Sequence, residues 1–217
     1  MTPKHSLAID PFLLHCLDLL DRIASGQEPN ANEERVRMRS LLDQGEAIVG
    51  TGREWELSSY ALVSWIDEML VEAAWSQREW WSNNVLEREL FNTRECAEKF
   101  FVYAKEASTL AQRDSLEVFY VCVILGFRGI YSEPSIARLV CESLAIPSDI
   151  HEWARQVAMS IRLGQGRPNL NGPEREIVGA PPLPAKNRVV WPWIFVTMLV
   201  TWNIVYFFLH FGKSFLY

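Results

Sequence analysis

The feature that most constrains this chain is its one long apolar run, and where that run sits. Val189 to Phe211 is 23 residues without a formal charge, and Gly212 to Tyr217 follow it. At ~1.5 Å per helical residue the run reaches roughly 35 Å, enough to cross a hydrocarbon core of ~30 Å with some tilt. A segment in lipid must satisfy its own backbone hydrogen bonds, so a helix is the expected form. The alternative is a buried helix of a soluble protein, which the length and terminal position disfavour. Residues before the run are polar enough to be soluble. The pattern predicts a large water-facing domain held to a membrane by its tail.

The flanks orient the span. Lys186 and Arg188 precede the run and Lys213 follows it, a weak positive-inside bias that puts the N-terminal domain in the cytoplasm. The first 25 residues contain Asp10, Asp18 and Asp21. They lack a basic start, an uninterrupted apolar stretch and a cleavage site, so no signal peptide is expected. Trp191 and Trp193 suit the near interface and Tyr217 the far one. Pro192 falls in the first turn of the run, where its missing N–H costs little. Thr197 and Thr201 share a face and can bond back to their own helix. Asn203 is costlier to leave facing lipid and points to a helix–helix contact.

Residues 1–188 carry all 27 acidic residues and all but one of the 21 basic ones, a net charge of −7. A nucleic-acid binder usually shows a basic face, and none is visible. Cys16, Cys96, Cys122 and Cys141 are scattered without CxxC spacing, as expected for free, buried thiols in a reducing compartment.

The soluble part reads as helix after helix. Asp10-Pro11 has the form of an N-cap with proline at the first helical position. A second helix starts near Asn32 and ends near Gly50, and a third spans roughly Glu54 to Ala74. Ser82–Leu90 is a shorter candidate and Thr93–Ala107 a longer one. Asp114 and Glu117 have capping-box spacing before Leu116, Phe119 and Cys122. Pro134 opens another helix, and a last one runs from Asp149 to Leu163. No run of period-two alternation is convincing. Gly164 to Arg188 holds five prolines and four glycines, the composition of an extended linker.

Catalytic spacing is missing. His5, His15, His151 and His210 are far apart, and His151-Glu152 lacks the second histidine of a zinc-protease motif. No phosphate loop or nucleophile elbow occurs. The chain therefore offers no catalytic residue, metal site or cofactor site, and an enzyme is not expected.

Several blocks occur in a specific order: Tyr60-Ala61-Leu62, Ile66-Asp67-Glu68, Trp80-Trp81, Leu90-Phe91, Glu98-Lys99-Phe100-Phe101, and Leu125-Gly126-Phe127-Arg128-Gly129-Ile130-Tyr131. Together they resemble the DotU/IcmH/TssL family, inner-membrane components of type VI and type IVB secretion systems. The resemblance covers roughly Asp10 to Leu163. The chain departs from the family at Ala74-Trp75-Ser76, where Pro-Trp-Gly is frequent, and at Ala97, where glycine is common. No peptidoglycan-binding extension of the kind some members carry is expected after the span.

The resemblance implies an all-α fold: a hook-like cytoplasmic domain of two small packed helical bundles (residues 1–163), a linker (164–188), a transmembrane helix (189–211) and a short periplasmic tail (212–217). It implies no cofactor. It implies a scaffold role in the inner membrane, with partners on both sides. These are a larger inner-membrane subunit (TssM/IcmF-like), through it an outer-membrane lipoprotein (TssJ-like), and baseplate proteins (TssK-like and TssE-like). Self-association through the tail is expected on the separate ground that lipid-embedded helices pair by packing and polar contacts, although the run lacks a GxxxG. A type IVB component or an unrelated tail-anchored adaptor are the alternatives. The family's acidic cleft pair maps onto Asp67 and Glu68, with Glu72 beside them. For these acids three readings stay open: a solvated face, a structural acid tied to an arginine such as Arg128 or capping a helix, and a docking site for a basic partner. The resemblance favours the last. Gly126 and Gly129, with Tyr131, are expected to form a tight turn.

Overall fold

The computed structural model describes residues 1–164 and the helix 186–211, apart from the side chains at 134, 136, 186–192 and 207–211. Among the described residues every regular element is helical. The chain divides into two units, Met1–Pro168 and Asn169–Tyr217. The linker expected over 164–188 falls largely outside the described residues.

The first unit opens with α1 (Pro3–Ala24), eight residues earlier than Asp10-Pro11 suggests. Thr2 is the N-cap, its hydroxyl accepting from the His5 N–H, and Pro3 takes the first helical position. Pro11 lies inside the helix. Its missing N–H leaves the Leu7 carbonyl without a helical partner, on a side where both residues are exposed to solvent. Then α2 (Ala31–Val49) is capped by Asn30, which accepts from the Asn32 and Glu33 N–H groups. It packs against α1.

The centre of the unit is α3 (Arg53–Glu72). It touches α1, α2 and four later helices, α4 (Arg78–Asn83), α5 (Leu86–Phe91), α6 (Cys96–Ala107) and α7 (Asp114–Ile124). From Leu57 to Asp67 every residue of α3 is buried. A helix apolar around most of its circumference has no solvent face to present, so it becomes the core. The remaining elements of this unit are a 3-10 turn over Gly129–Ser132, α8 (Pro134–Leu144) and α9 (Ile150–Gly164), the last packed on α7.

The core is one continuous cluster running from Ala8 to Ile161. Trp55, Trp65, Trp75, Trp81 and Trp153 all lie in it. The Phe100-Phe101 pair of α6 organises its far side: Phe100 stacks on Phe127 at 4.0 Å, and Phe101 meets Trp153 edge-on at 5.3 Å. Each such ring contributes about 1.5–3 kcal/mol by leaving water. All four cysteines are free; Cys16, Cys122 and Cys141 are buried and Cys96 is half-buried.

Two local expectations change. The helix anticipated over Ser82–Leu90 is split at Asn84 and Val85 into α4 and α5, and Asn84 turns back to cap Trp80 O at 2.8 Å. Asp114 and Glu117 make no capping box. The Asp114 carboxylate accepts from Thr2 N at 2.8 Å and from the Thr2 hydroxyl, and Glu117 meets the Met1 amino group. Partners distant in sequence take the two acids away from their own helix.

By composition alone the stretch Asp114–Ser132 is long and apolar enough to cross a membrane. Its Val118, Phe119 and Cys122 are fully buried and α7 packs on α3, so its apolar side chains serve the core.

The described part of the second unit is α10 (Lys186–Phe211). Starting at Lys186, it places Pro192 beyond the first turn. Its apolar side chains from Trp193 to Tyr206 are all exposed.

Candidate functional site

The acidic stretch of α3 occupies the helix's second half, where the buried run meets solvent. Asp67 follows Tyr60 by seven residues and Val63 by four, so it continues a buried stripe rather than a surface one. It is 3% exposed. Its Oδ1 accepts from Trp81 Nε1 at 2.9 Å and Leu86 N at 3.0 Å, and its Oδ2 from Glu87 N at 2.8 Å. The carboxylate thus caps the N-terminus of α5 from another helix, satisfying donors that a helix start leaves open. Burial pushes the Asp67 carboxyl up to about 7, against the pull of these three donors.

Glu87, in the first turn of α5, repeats the device one step along the chain. It is 2% exposed, and its Oε1 accepts from Tyr60 Oη at 2.7 Å, Thr93 Oγ1 at 2.5 Å and Glu95 N at 3.1 Å. The Tyr60 ring is held edge-on between Phe91 and Tyr103 at 4.9 and 4.7 Å. Nothing in the local pattern marks Glu87 as buried; an acid in a first helical turn is ordinary on dipole grounds alone.

Glu68 is half-buried. Its Oε1 accepts from Arg128 N at 2.6 Å and its Oε2 from Gly129 N at 2.9 Å. The tie to Arg128 therefore runs through the backbone. The guanidinium instead donates to Val123 O at 3.3 Å and Phe127 O at 3.2 Å. Burial raises the Glu68 carboxyl, opposed by the two N–H groups.

The turn that Glu68 holds contains Gly126 at φ +119° and Gly129 at φ +50°. A Cβ on Gly129 would stand 2.8 Å from Ala97 O and 2.9 Å from the Phe127 ring, so glycine is needed there for space as well as for backbone angle. Tyr131 closes the turn, its hydroxyl donating to Pro147 O at 2.5 Å while its ring meets Phe101. Glu72, on the last turn of α3, is exposed and makes no hydrogen bond or ion pair among the described residues.

An exposed acidic pair at 67 and 68 is thus not what the fold presents. Asp67 lies inside, and both acids spend their oxygens on backbone donors. Of the three expected partner-facing residues, Glu72 alone stands free in solvent.

The residues expected at the membrane belong to the second unit. Trp193 is 67% exposed, while the Trp191 side chain and Tyr217 lie outside the described residues. Asn203 Nδ2 donates to Leu199 O at 3.1 Å, and the Thr197 and Thr201 hydroxyls likewise return to carbonyls of their own helix. The Asn203 amide therefore has one donor satisfied without a neighbouring helix.

Among the described residues one group has metal-ligand reach: His5, Glu54 and Asp114. Thr2 occupies both Asp114 oxygens, and Ser58 Oγ lies 2.9 Å from His5 Nε2. Burial lowers the His5 pKa and raises that of Glu54. Within this group Glu54 Oε1 is the buried oxygen without a hydrogen bond among the described residues. Asp114 is thus committed to holding the start of α1 through Thr2. His15 Nε2 lies 2.9 Å from Glu34 Oε2, near enough for an ion pair but not aligned for a hydrogen bond.

A groove of about 490 Å³ opens where the end of α2, the start of α3 and α5 meet. Asp43, Glu46, Arg53 and Glu56 line it around Trp55, with neither histidine nor cysteine in its wall. Arg53 is committed to Glu106, with two bonds of 2.6 Å.

The family model for the type VI secretion system protein DotU matches residues 7–212. Among curated proteins none matches. The cytoplasmic domain of TssL from Acinetobacter baumannii is similar at a TM-score of 0.57 and 23% identity, over 72% of this chain and 98% of that one. SciP/TssL from enteroaggregative Escherichia coli 042 aligns at a TM-score of 0.49 and 19% identity, over 68% of this chain and 90% of that one. The first of these likenesses bears on the fold alone; the family match spans nearly the whole sequence. The chain belongs to the DotU family of type VI secretion system proteins.

Proposed function

We propose that this protein is a non-enzymatic, tail-anchored scaffold of the bacterial inner membrane. It works in the trans-envelope complex of a type VI secretion system and links that complex to the cytoplasmic baseplate. The family match over residues 7–212 carries the reading, because it includes α10 as well as the helical domain. In this reading residues 1–163 form the cytoplasmic domain, 164–188 the linker, 189–211 the span and 212–217 a periplasmic tail.

The character of α10 supports the anchor. The helix has 26 residues, about 39 Å at the helical rise. Phe195, Met198 and Trp202 are 69%, 68% and 73% exposed on one side of the helix, and Val196, Val200 and Ile204 are 53%, 53% and 51% exposed on the other. A helix apolar on all sides is stable in lipid and costly in water. Lys186 and Arg188 before the span support a cytoplasmic N-terminal domain.

The mechanism is simultaneous binding. The helical domain engages cytoplasmic components (TssK-like and TssE-like), while α10 joins a larger inner-membrane subunit (TssM/IcmF-like) and, through it, an outer-membrane lipoprotein (TssJ-like). Glu72 is the member of the α3 acidic stretch available to a basic partner surface. Asp67 and Glu68 contribute by fixing α5 and the Gly126–Gly129 turn beside it.

Purification of the full-length tagged chain from its native cell in mild detergent tests the reading. Co-elution of a large inner-membrane protein with baseplate proteins is expected. Recovery of the chain alone from a secreting cell would overturn it.

A further inference from the structure

The face of α1 turned away from the core carries Leu7 at 64% exposure, Leu14 at 66% and Leu17 at 39%. The opposite face, with Ile9, Phe12, Cys16 and Leu19, is fully buried. Steps of seven and three residues are the a and d spacing of a helix seam, so the three leucines form one stripe. Single exposed apolar residues are ordinary, whereas an aligned set marks an interaction surface. None of these leucines is needed by the core.

The charges at the a and d positions of the stripe have one sign, and Lys4 at its edge donates to Val49 O at 3.2 Å. Asp10 occupies the d position between Leu7 and Leu14 and Asp21 the a position after Leu17, and both are exposed with no ion-pair partner among the described residues. Asp18 beside them is held by Arg22 at 2.9 Å, and Arg22 is also held by Glu34. Two copies of this face brought together would set Asp10, Asp18 and Asp21 against acids of the same kind. An anionic lipid surface would be repelled in the same way.

We infer that the outer face of α1 is a docking seam for an amphipathic helix of another protein, one that seats apolar side chains between Leu7, Leu14 and Leu17 and sets lysine or arginine against Asp10 and Asp21. The seam from Leu7 to Asp21 is about 21 Å long, four helical turns. Leucines at a and d give packing, and the acids select a basic partner and fix its register. The inference rests on the proposed role within a multi-protein complex, and it assigns that role a surface distinct from the acids of α3.

Site-specific photo-crosslinking in the native secreting cell tests it. A photoreactive residue replaces Leu7 or Leu14 in the full-length chain, and the crosslinked peptides are sequenced. Both positions are expected to crosslink one helical segment of a single partner, with apolar residues three and four apart flanked by lysine or arginine. Asp10→Lys with Asp21→Lys should lower the yield about tenfold while the melting temperature is unchanged. Asp10→Asn with Asp21→Asn is the milder variant and should lower it less. A crosslink to a second copy, to this chain's own tail or to lipid overturns the inference. So does an acidic partner segment, the lack of any protein crosslink, or a yield indifferent to the charge changes. The proposed function fails separately, when the wild-type chain brings down no envelope protein.

Discussion

In the second half of α3 an aspartate lies inside the protein; along the outer face of α1 three leucines lie outside it. Residue type alone would exchange the two assignments, making the acids the docking site and the leucines the core. The structure separates them by what each group has to satisfy. Asp67 is buried because three donors of α4 and α5 converge on it. Leu7, Leu14 and Leu17 are exposed because the other face of α1 already fills the core. Internal hydrogen bonds consume the acids' capacity to bind, while the leucines keep theirs.

The sharpest way to break this contrast is Asp67→Ala. It leaves Trp81 Nε1 and two backbone N–H groups buried without an acceptor, and should cost about 3 kcal/mol or more, a fall of roughly 10 °C in melting temperature. Thermal denaturation of the two proteins checks this, and equal melting would return Asp67 to the surface. The same residue carries a pH signature. With its folded value near 7 against an ordinary 3.8, the folded protein binds more protons than the unfolded chain between those values. The stability contributed by this group therefore falls as pH rises through that window. Asp67→Asn removes the slope, so its urea midpoint should approach the wild-type midpoint between pH 4.5 and 7.5.

Next in size is Gly129→Ala, which forces a Cβ against Ala97 O at a left-handed backbone angle. About 2 kcal/mol is expected, read from denaturant midpoints. Glu68→Gln keeps one acceptor and turns an amide against the other donor, costing about 1 kcal/mol in the same measurement. The smallest effect belongs to α1: Leu14→Ser should change stability by no more than about 0.5 kcal/mol. A large loss there would mean that the seam is part of the core after all.

Periodicity made most of the fold legible. The boundaries of α2, α3, α8 and α9 follow from caps, prolines and glycines close to them in sequence. One cause of misreading is a partner distant along the chain. Asp114 and Glu117 have the spacing of a local cap, yet the start of α1 claims them. Asp10-Pro11 imitates a helix start because Pro11 sits on a solvent face that tolerates it, and Thr2-Pro3 carries the same signal eight residues earlier.

For Asp67 a signal was present. Its spacing from Tyr60 and Val63 places it on a buried stripe, and a helix containing Ser58, Ser59 and Ser64 among apolar residues has little surface to offer. Glu87 had no such signal, since its burial depends on Tyr60 and on the turn before α6. The seam on α1 is hidden for the opposite reason: its leucines merge with the core leucines until the structure tells the two faces apart.

One paired measurement tests the central claim most directly. The full-length wild type, Asp67→Ala, and Asp10→Lys with Asp21→Lys are each purified from secreting cells and compared for melting temperature and for co-purifying baseplate and inner-membrane proteins. The account predicts that the α3 variant melts lower, and that the α1 variant melts as wild type but loses a cytoplasmic partner. An α3 variant that melts as wild type yet loses the partner, beside an α1 variant that keeps it, would contradict the account.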